Sequence, residues 1–161
     1  MKNLSELLEH QLQDLYSAEE QLIMALPKMA KNANNSKLQK AFESHLEETK
    51  NHMMRLEEIC EELDIKPKGE KCKAMEGLIK EAESFIKEAE DKEVMDAGLI
   101  AEAQRVEHYE ISGYGTAAQF AKQLGHADIA KKLKKTLDEE YGANDKLTKL
   151  AESRLNEEAI S

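Results

Sequence analysis

The chain has 161 residues, a length that fits one domain able to bury roughly two thirds of the surface that its unfolded form exposes. Ala, Leu, Glu, Lys and Gln dominate and Trp is absent, a composition that favours an all-α protein. The formal net charge of −10 disfavours nucleic-acid and membrane-surface partners and favours cations. Because no apolar run is long enough to span a bilayer and the N-terminus lacks a signal-peptide core, we expect a cytoplasmic protein.

The first third of the chain predicts two helices joined by a tight turn. Apolar residues in steps of three and four predict a first helix over about 3–33. Pro27 lies inside it and is expected to bend the helix without ending it. Ser36 and Gln39 have the form of a capping box, which predicts a second helix over about 36–63. So short a turn makes the pair an antiparallel hairpin.

The rest of the chain predicts a crossover and a second hairpin. A loop and a shorter amphipathic helix, about 73–90, precede two long helices over about 93–124 and 127–156. Gly125 supplies the left-handed residue that ends a helix. We therefore predict a single domain, residues 1–161, with a ferritin-like four-helix bundle. Its two antiparallel helical hairpins are joined by a long crossover that contains the short fifth helix.

The two hairpins also form an internal repeat. Glu48 follows Glu19 by 29 positions, and Glu139 follows Glu110 by the same 29 positions. The hairpins therefore align without a gap, and this alignment pairs Glu48 with Glu139.

Each long helix interrupts its apolar face with acidic or histidine side chains near its middle. In chain order these residues are Glu19, His45, Glu48 or Thr49, His52, Glu107, Glu110, and Glu139 or Glu140. Because the hairpin turns are short, the middles of the helices lie at similar heights and the carboxylates should converge. An uncompensated carboxylate in a bundle core costs at least several kcal/mol. Two divalent cations would neutralise four glutamates, so we expect a dinuclear metal site.

The choice of ligand is open in two places. In the last helix the apolar face selects Glu140 and the repeat selects Glu139. We weight the repeat slightly more, because metal-binding helices often carry a bulge that shifts the helical phase by one residue. His45 and His52 can both lie on the helical face of Glu48, either as metal ligands or as hydrogen-bonded core residues.

The residue types at this predicted site restrict the metal. Oxygen ligands with one or two imidazoles suit iron or manganese, and zinc under some conditions, whereas a structural zinc site would call for thiolates. Cys60 and Cys72 form no Cys-x-x-Cys pair and are expected to be free thiols. Tyr16 and Tyr114 lie one turn from proposed ligands and either pack in the core or hydrogen-bond a ligand carboxylate.

Several segments carry a family resemblance. They are LYSAEEQL at 15–22, HLEET at 45–49, AMEGLI at 74–79, VEHYEI at 106–111 and LDEE at 137–140. Together they are similar to the bacterial YciE/YciF proteins over nearly the whole chain. The resemblance implies a ferritin-like fold, a homodimer and an association with stress, and it does not by itself establish an enzyme.

The wider ferritin-like superfamily implies a ligand pattern that this chain follows in part. That pattern has a glutamate on the first and third long helices and Glu-x-x-His on the second and fourth. Its glutamates are matched by Glu19, Glu48, Glu110 and Glu139. Asn51 and Gly142 stand where its histidines would be, so the coordination must differ, and His45, His52 or Glu107 could substitute. Glu107 and Glu110 form an extra acidic pair, as in some peroxide-handling members.

These features support three functional hypotheses. The preferred one is an iron- or manganese-dependent oxidoreductase that reacts with oxygen or peroxide. The second is a non-catalytic stress protein in which the glutamates hold a structural cation or none. The third, iron storage in a cage, needs assembly surfaces that the sequence does not display.

Overall fold

Five helices carry the architecture. The computed structural model describes residues 1–160, apart from the side chain of Arg154. The helices are α1 (Leu4–Asn32), α2 (Ser36–Glu62), α3 (Lys73–Glu88), α4 (Lys92–Gln123) and α5 (Ala127–Leu150). A π-helical turn, Ala151–Leu155, and a short α6, Asn156–Glu158, follow α5. Within the described residues, no helix combines the length and the apolar character needed to cross a bilayer.

The helix ends have local causes in the sequence. The Asn35 side chain accepts hydrogen bonds from the backbone N–H groups of Lys37 and Leu38, at 2.9 and 3.3 Å. Asn35 is therefore the N-cap of α2, and the predicted capping box on Ser36 is wrong by one residue because Ser36 is already helical. Gly125 adopts a φ of 83° after α4, which confirms its predicted left-handed conformation.

The direction of the crossover is fixed by a buried acid. The carboxylate of Asp96, near the start of α4, accepts hydrogen bonds from the backbone N–H groups of Asn34 and Asn35, both at 2.7 Å. The beginnings of α2 and α4 therefore lie at the same end of the bundle, and the connection between them returns along its length. α3 lies within this connection and packs on α1 and α4. The predicted ferritin-like bundle with a crossover helix is confirmed.

The packing order of the long helices leaves a polar layer in the middle of the core. α1 packs against α2 and α4, and α5 packs against the same two helices. One apolar cluster, with Leu26 and Leu38, occupies the end near the α1–α2 turn, and a second, with Leu12 and Ile59, occupies the opposite end. Glu19 lies between these two clusters along α1.

The last long helix is regular at Glu139 and Glu140, the positions where a bulge would shift the helical phase by one residue. α5 is an α-helix from Ala127 to Leu150, and the π-helical geometry begins only at Ala151. No bulge therefore separates Glu139 and Glu140 from the apolar face of α5, and the ordinary helical period decides which of the two points inward.

Candidate metal centre

Six ionisable side chains fill the polar layer between the two apolar clusters. They are Glu19, His45, His52, Glu107, Glu110 and Glu140, each no more than 6% exposed. α1, α2, α4 and α5 all contribute, so the site depends on the packing of both hairpins. The layer brings together the predicted residues Glu19 and Glu110 from the two hairpins, and it contains Glu140 from the last helix.

The ligand atoms of this layer form two overlapping groups. One group combines His45, Glu107, Glu110 and Glu140, and the other combines Glu19, His52 and Glu140. Within each group the atoms lie no more than 4.8 Å apart. Since metal–nitrogen and metal–oxygen bonds are about 2.0–2.2 Å long, one cation can reach each set after small side-chain movements. Glu140 belongs to both groups, the position of a bridging carboxylate.

Many polar atoms of the layer have no hydrogen-bond partner within the described chain. These include both oxygens of Glu110, both oxygens of Glu140 and one oxygen each of Glu19 and Glu107. A buried polar group left unsatisfied costs about 1–3 kcal/mol, more when it is charged. Because divalent cations bind carboxylate oxygens, the donor set fits a metal centre, and a bound ion would remove most of this cost.

Each histidine turns one ring nitrogen toward the layer. His45 Nε2 lies 3.1 Å from Glu107 Oε1 and 3.8 Å from Glu140 Oε2. His52 Nδ1 lies 2.8 Å from Glu140 Oε1 and 3.5 Å from Glu19 Oε1. These inward nitrogens do not meet hydrogen-bond geometry despite the short distances. They are therefore aimed at the space among the carboxylates.

The other ring nitrogen of each histidine contacts a carboxylate outside the layer. His45 Nδ1 lies 3.4 Å from Glu48 Oε2, and His52 Nε2 lies 3.0 Å from Glu139 Oε2. The side chains of Glu48 and Glu139 are 31% and 33% exposed. The structure thus places these two predicted ligands at the rim, where each can fix the tautomer and the orientation of a histidine.

Both rim carboxylates also pair with a cation on the neighbouring helix. Arg55 on α2 donates to Glu139 on α5, with Nη1 2.8 Å from Oε2. Lys146 on α5 pairs with Glu48 on α2, with Nζ 3.4 Å from Oε1. Because the repeat pairs Glu48 with Glu139 and also Arg55 with Lys146, these two ion pairs are equivalent under the internal repeat.

Burial raises the pKa values of Glu19, Glu110 and Glu140. Burial, reinforced by the carboxylates of Glu19, Glu140 and Glu107, holds the pKa of Glu110 well above its usual range. Burial raises the pKa of Glu140 to about 7, although contact with His52 opposes the rise. Burial alone would lower the pKa of His52, but its contacts with Glu140 and Glu19 raise it to about 10.

Two further residues complete the layer and were not predicted as ligands. Thr49 is fully buried on α2, and its hydroxyl has no partner within the described chain. The Tyr114 hydroxyl donates a hydrogen bond to Glu19, which was one of the two alternatives for this tyrosine. Tyr16 instead donates to Glu57 at 2.9 Å, away from the layer. The apolar face of the second helix offered Thr49 as the alternative to Glu48, and the structure buries Thr49 at i, i+4, i+7 spacing with His45 and His52.

An all-α ferritin-like bundle with a buried layer of carboxylates and histidines is thus the class of protein that fold and site define. Residues 3–160 match the family described as Domain of unknown function (DUF892), and the chain belongs to this family. Protein YciF of Escherichia coli (strain K12) is 50% identical over 160 residues, which cover 99% of this chain and 96% of that protein. The resemblance to the YciE/YciF proteins is therefore confirmed.

Solved structures agree with this assignment. The crystal structure of the E. coli stress protein YciF matches with a TM-score of 0.93, 50% identity and coverage of 97% of this chain and 99% of that chain. YcfI of Rhodopseudomonas palustris matches with a TM-score of 0.90, 47% identity and coverage of 92% and 94%. A Xanthomonas campestris protein, XCC3681, shares the fold at a TM-score of 0.75 and 18% identity, with coverage of 98% and 94%.

Proposed function

We propose that this protein binds two divalent metal ions, iron or manganese, in the polar layer of the bundle. One ion would be held by His45, Glu107, Glu110 and Glu140, and the other by Glu19, His52 and the shared Glu140. The observation that carries the proposal is the set of buried carboxylate oxygens without hydrogen-bond partners in the described chain. Zinc is a third candidate metal, because it accepts the same nitrogen and oxygen ligands.

Charge balance supports a dinuclear site over an empty one. The layer holds four carboxylates and two imidazoles, so two protonated histidines would still leave two negative charges if every acid were ionised. Protonation of the acids can remove those charges, but each proton satisfies only one of the crowded carboxylate oxygens, and both oxygens of Glu110 and both of Glu140 are without partners in the described chain. Two divalent cations neutralise four carboxylates and bind their oxygens at the same time.

We further propose that the loaded centre reacts with oxygen or peroxide. Iron or manganese held by these residues would supply the electrons that reduce dioxygen or peroxide. The protein's own contribution is to keep water out and to fix the ligands. Tyr114 holds Glu19, while Glu48 and Glu139 orient His45 and His52.

A non-catalytic structural role is the second candidate, and the histidines favour it. The contacts of His45 with Glu107 and of His52 with Glu140 raise the pKa of both imidazoles, against the effect of burial. In their charged forms the histidines offset part of the acidic charge without metal. This candidate predicts a protein that is stable without metal, holds a structural cation or none, and consumes neither oxygen nor peroxide.

Metal content and the consumption of oxygen and peroxide together separate the two candidates. Protein purified without chelator, and protein reconstituted with iron(II) or manganese(II), should contain about two ions per chain by mass spectrometry. A Glu19→Ala, Glu110→Ala variant should lose them, whereas a control with the exposed pair Glu43→Ala, Glu88→Ala should keep them. Oxygen and peroxide consumption would then be measured on the loaded protein. Wild type without metal after reconstitution would refute the proposal and leave the structural role.

The family resemblance supports a proposal about the number of chains in the assembly and the association with stress. We propose a cytoplasmic homodimer associated with stress, as a relative of the E. coli stress protein. Light scattering should give twice the chain mass of 18.2 kDa. A particle of many chains would instead favour the iron-storage cage.

A further inference from the structure

A small cavity lies beside the polar layer, in the seam between α2 and α5. Its volume is about 20 Å³, enough for one water molecule. Its lining includes His45 and Glu107 from the layer and Glu48 and Lys146 from the rim. The Glu107 side chain is almost fully buried, and its Oε2 has no partner within the described chain. The cavity is therefore lined both by a buried glutamate that carries an unpartnered oxygen and by the partly exposed carboxylate of Glu48.

The two rim ion pairs differ in how firmly they close the seam. Arg55 is only 14% exposed, and it binds both oxygens of Glu139 and also donates to Thr136. Lys146 is 58% exposed and reaches Glu48 through a single contact of 3.4 Å. An exposed lysine–carboxylate pair stabilises by about 0–1 kcal/mol, so thermal motion separates it readily. A cavity of about 440 Å³ also lies beside Arg55 and Glu139, but no residue of the polar layer lines it. The cavity beside the Lys146 pair is lined by His45 and Glu107.

We propose that Glu48 is the uptake ligand for divalent cations, a transient binding position through which metal passes from solvent to His45 and Glu107. This inference rests on the proposed metal-binding function. Glu48 offers a partly exposed carboxylate to a hydrated cation and contacts His45 on its other side. Lys146 competes with the cation for Glu48. The Arg55 pair at Glu139 stays closed and holds His52 in place.

The competition gives opposite effects for the two members of the pair. Removing the charge of Glu48 takes away the first ligand, so metal loading slows. Removing the charge of Lys146 frees that ligand, so metal loading accelerates. A role limited to holding α2 against α5 would change both rates in the same direction, because either substitution breaks the same ion pair.

Loading can be followed with cobalt(II) and the chain's own fluorescence. The chain has four tyrosines and no tryptophan, and Tyr114 lies against the layer, so bound cobalt(II) should quench tyrosine emission. Chelator-treated full-length protein would be mixed with cobalt(II) in a stopped-flow instrument. We expect Glu48→Gln to slow loading by roughly tenfold and Lys146→Gln to accelerate it by about twofold to fivefold.

Matched controls separate the ligand effect from the change in net charge. Glu47→Gln removes the neighbouring exposed acid, and Lys149→Gln removes an exposed lysine on the same helix as Lys146. Both controls should stay within about twofold of wild type, the size of a general charge effect at moderate salt. Cobalt content at equilibrium, measured by mass spectrometry, gives a second readout that does not depend on rate.

The outcomes separate failure of this inference from failure of the proposed function. Opposite rate changes at Glu48 and Lys146, with cobalt content still near two per chain, would support it. Equal rates for Glu48→Gln and Glu47→Gln, or slower loading in Lys146→Gln, would overturn it while the metal site stands. Loss of an ion at equilibrium in Glu48→Gln would also overturn it, by making Glu48 a resident ligand. No cobalt uptake by wild type would overturn the metal-binding function and this inference together.

Discussion

Replacing Glu110 by leucine should stabilise the metal-free protein and destroy its response to metal. Glu110 is fully buried, neither of its oxygens has a donor in the described chain, and neighbouring carboxylates raise its pKa further. Replacing buried ion pairs by well-packed apolar side chains is often neutral or stabilises a protein by about 1–4 kcal/mol, and among the described residues Glu110 has no cationic partner whose charge its removal would leave unpaired. We therefore expect Glu110→Leu to raise the free energy of unfolding without metal by about 2 kcal/mol.

The effect should reverse when metal is present. For a chain of this length, about 2 kcal/mol corresponds to a rise of roughly 4–8 °C in the Tm of the metal-free protein. Manganese(II) at 100 times its Kd should stabilise wild type by about 2.7 kcal/mol per site, whereas Glu110→Leu should respond weakly or not at all. Calorimetry with and without manganese measures both effects. The exposed substitution Glu43→Leu controls for helix propensity and should change stability by less than about 0.5 kcal/mol.

A metal-free Glu110→Leu variant with a lower free energy of unfolding than wild type would contradict this prediction. That result would mean that the acids stabilise one another through shared protons, so that the layer is a satisfied network in its own right. A wild-type Tm that does not change with manganese would point the same way.

Three smaller predictions test other parts of the structure. Both thiols are buried, and burial raises the pKa of Cys60 to about 11. Ellman's reagent at pH 8 should therefore modify Cys60 and Cys72 only after denaturation. Rapid reaction of the native protein would contradict the burial of these thiols. Tyr114→Phe removes the donor to Glu19 and should lower the free energy of unfolding of the metal-free protein by about 1 kcal/mol in urea. An unchanged urea midpoint would show that this hydrogen bond does not contribute to stability. Gly125→Ala should lower the free energy of unfolding by about 1 kcal/mol because the φ of Gly125 is 83°. Gly142→Ala should raise it, because Gly142 lies in open space within α5 and alanine favours helix. Equal effects of the two substitutions would contradict the left-handed conformation of Gly125.

The fold was predictable because local and long-range signals agree. The periodic apolar faces, the short turn at Asn34 and Asn35 and the left-handed Gly125 each define a hairpin without reference to the rest of the chain. The predicted helix limits over 73–90 and 93–124 lie within two residues of α3 and α4. The predicted last helix, 127–156, instead changes to π-helical geometry after Leu150, a local change that the apolar period did not reveal.

The composition of the buried layer was predictable only from the helical faces. Glu19, Glu107 and Glu110 interrupt apolar stripes, and the structure buries all three. The repeat was given more weight than the face in choosing Glu139 over Glu140, yet the structure buries Glu140 and leaves Glu139 at the rim.

The repeat itself explains why it did not select the buried glutamate of α5. An internal repeat conserves the direction in which a position points, so Glu139 points as Glu48 does. Both are rim residues, and the position equivalent to Glu140 is the buried Thr49. Aligning Glu48 with Glu139 therefore identified the two carboxylates that contact His45 and His52, and not the buried Glu140. The contacts of Arg55 and Lys146 across the α2–α5 seam depend on tertiary packing, which no local pattern contains.

Anomalous scattering from crystals of the manganese-loaded protein would locate the bound ions directly. We expect two anomalous peaks per chain, about 3.5–4 Å apart as in other two-metal sites, with Glu140 between them. One peak should lie beside His45, Glu107 and Glu110, and the other beside Glu19 and His52. A polar layer without anomalous density, or manganese bound only at Glu48 and Glu139 on the surface, would contradict the proposed dinuclear site.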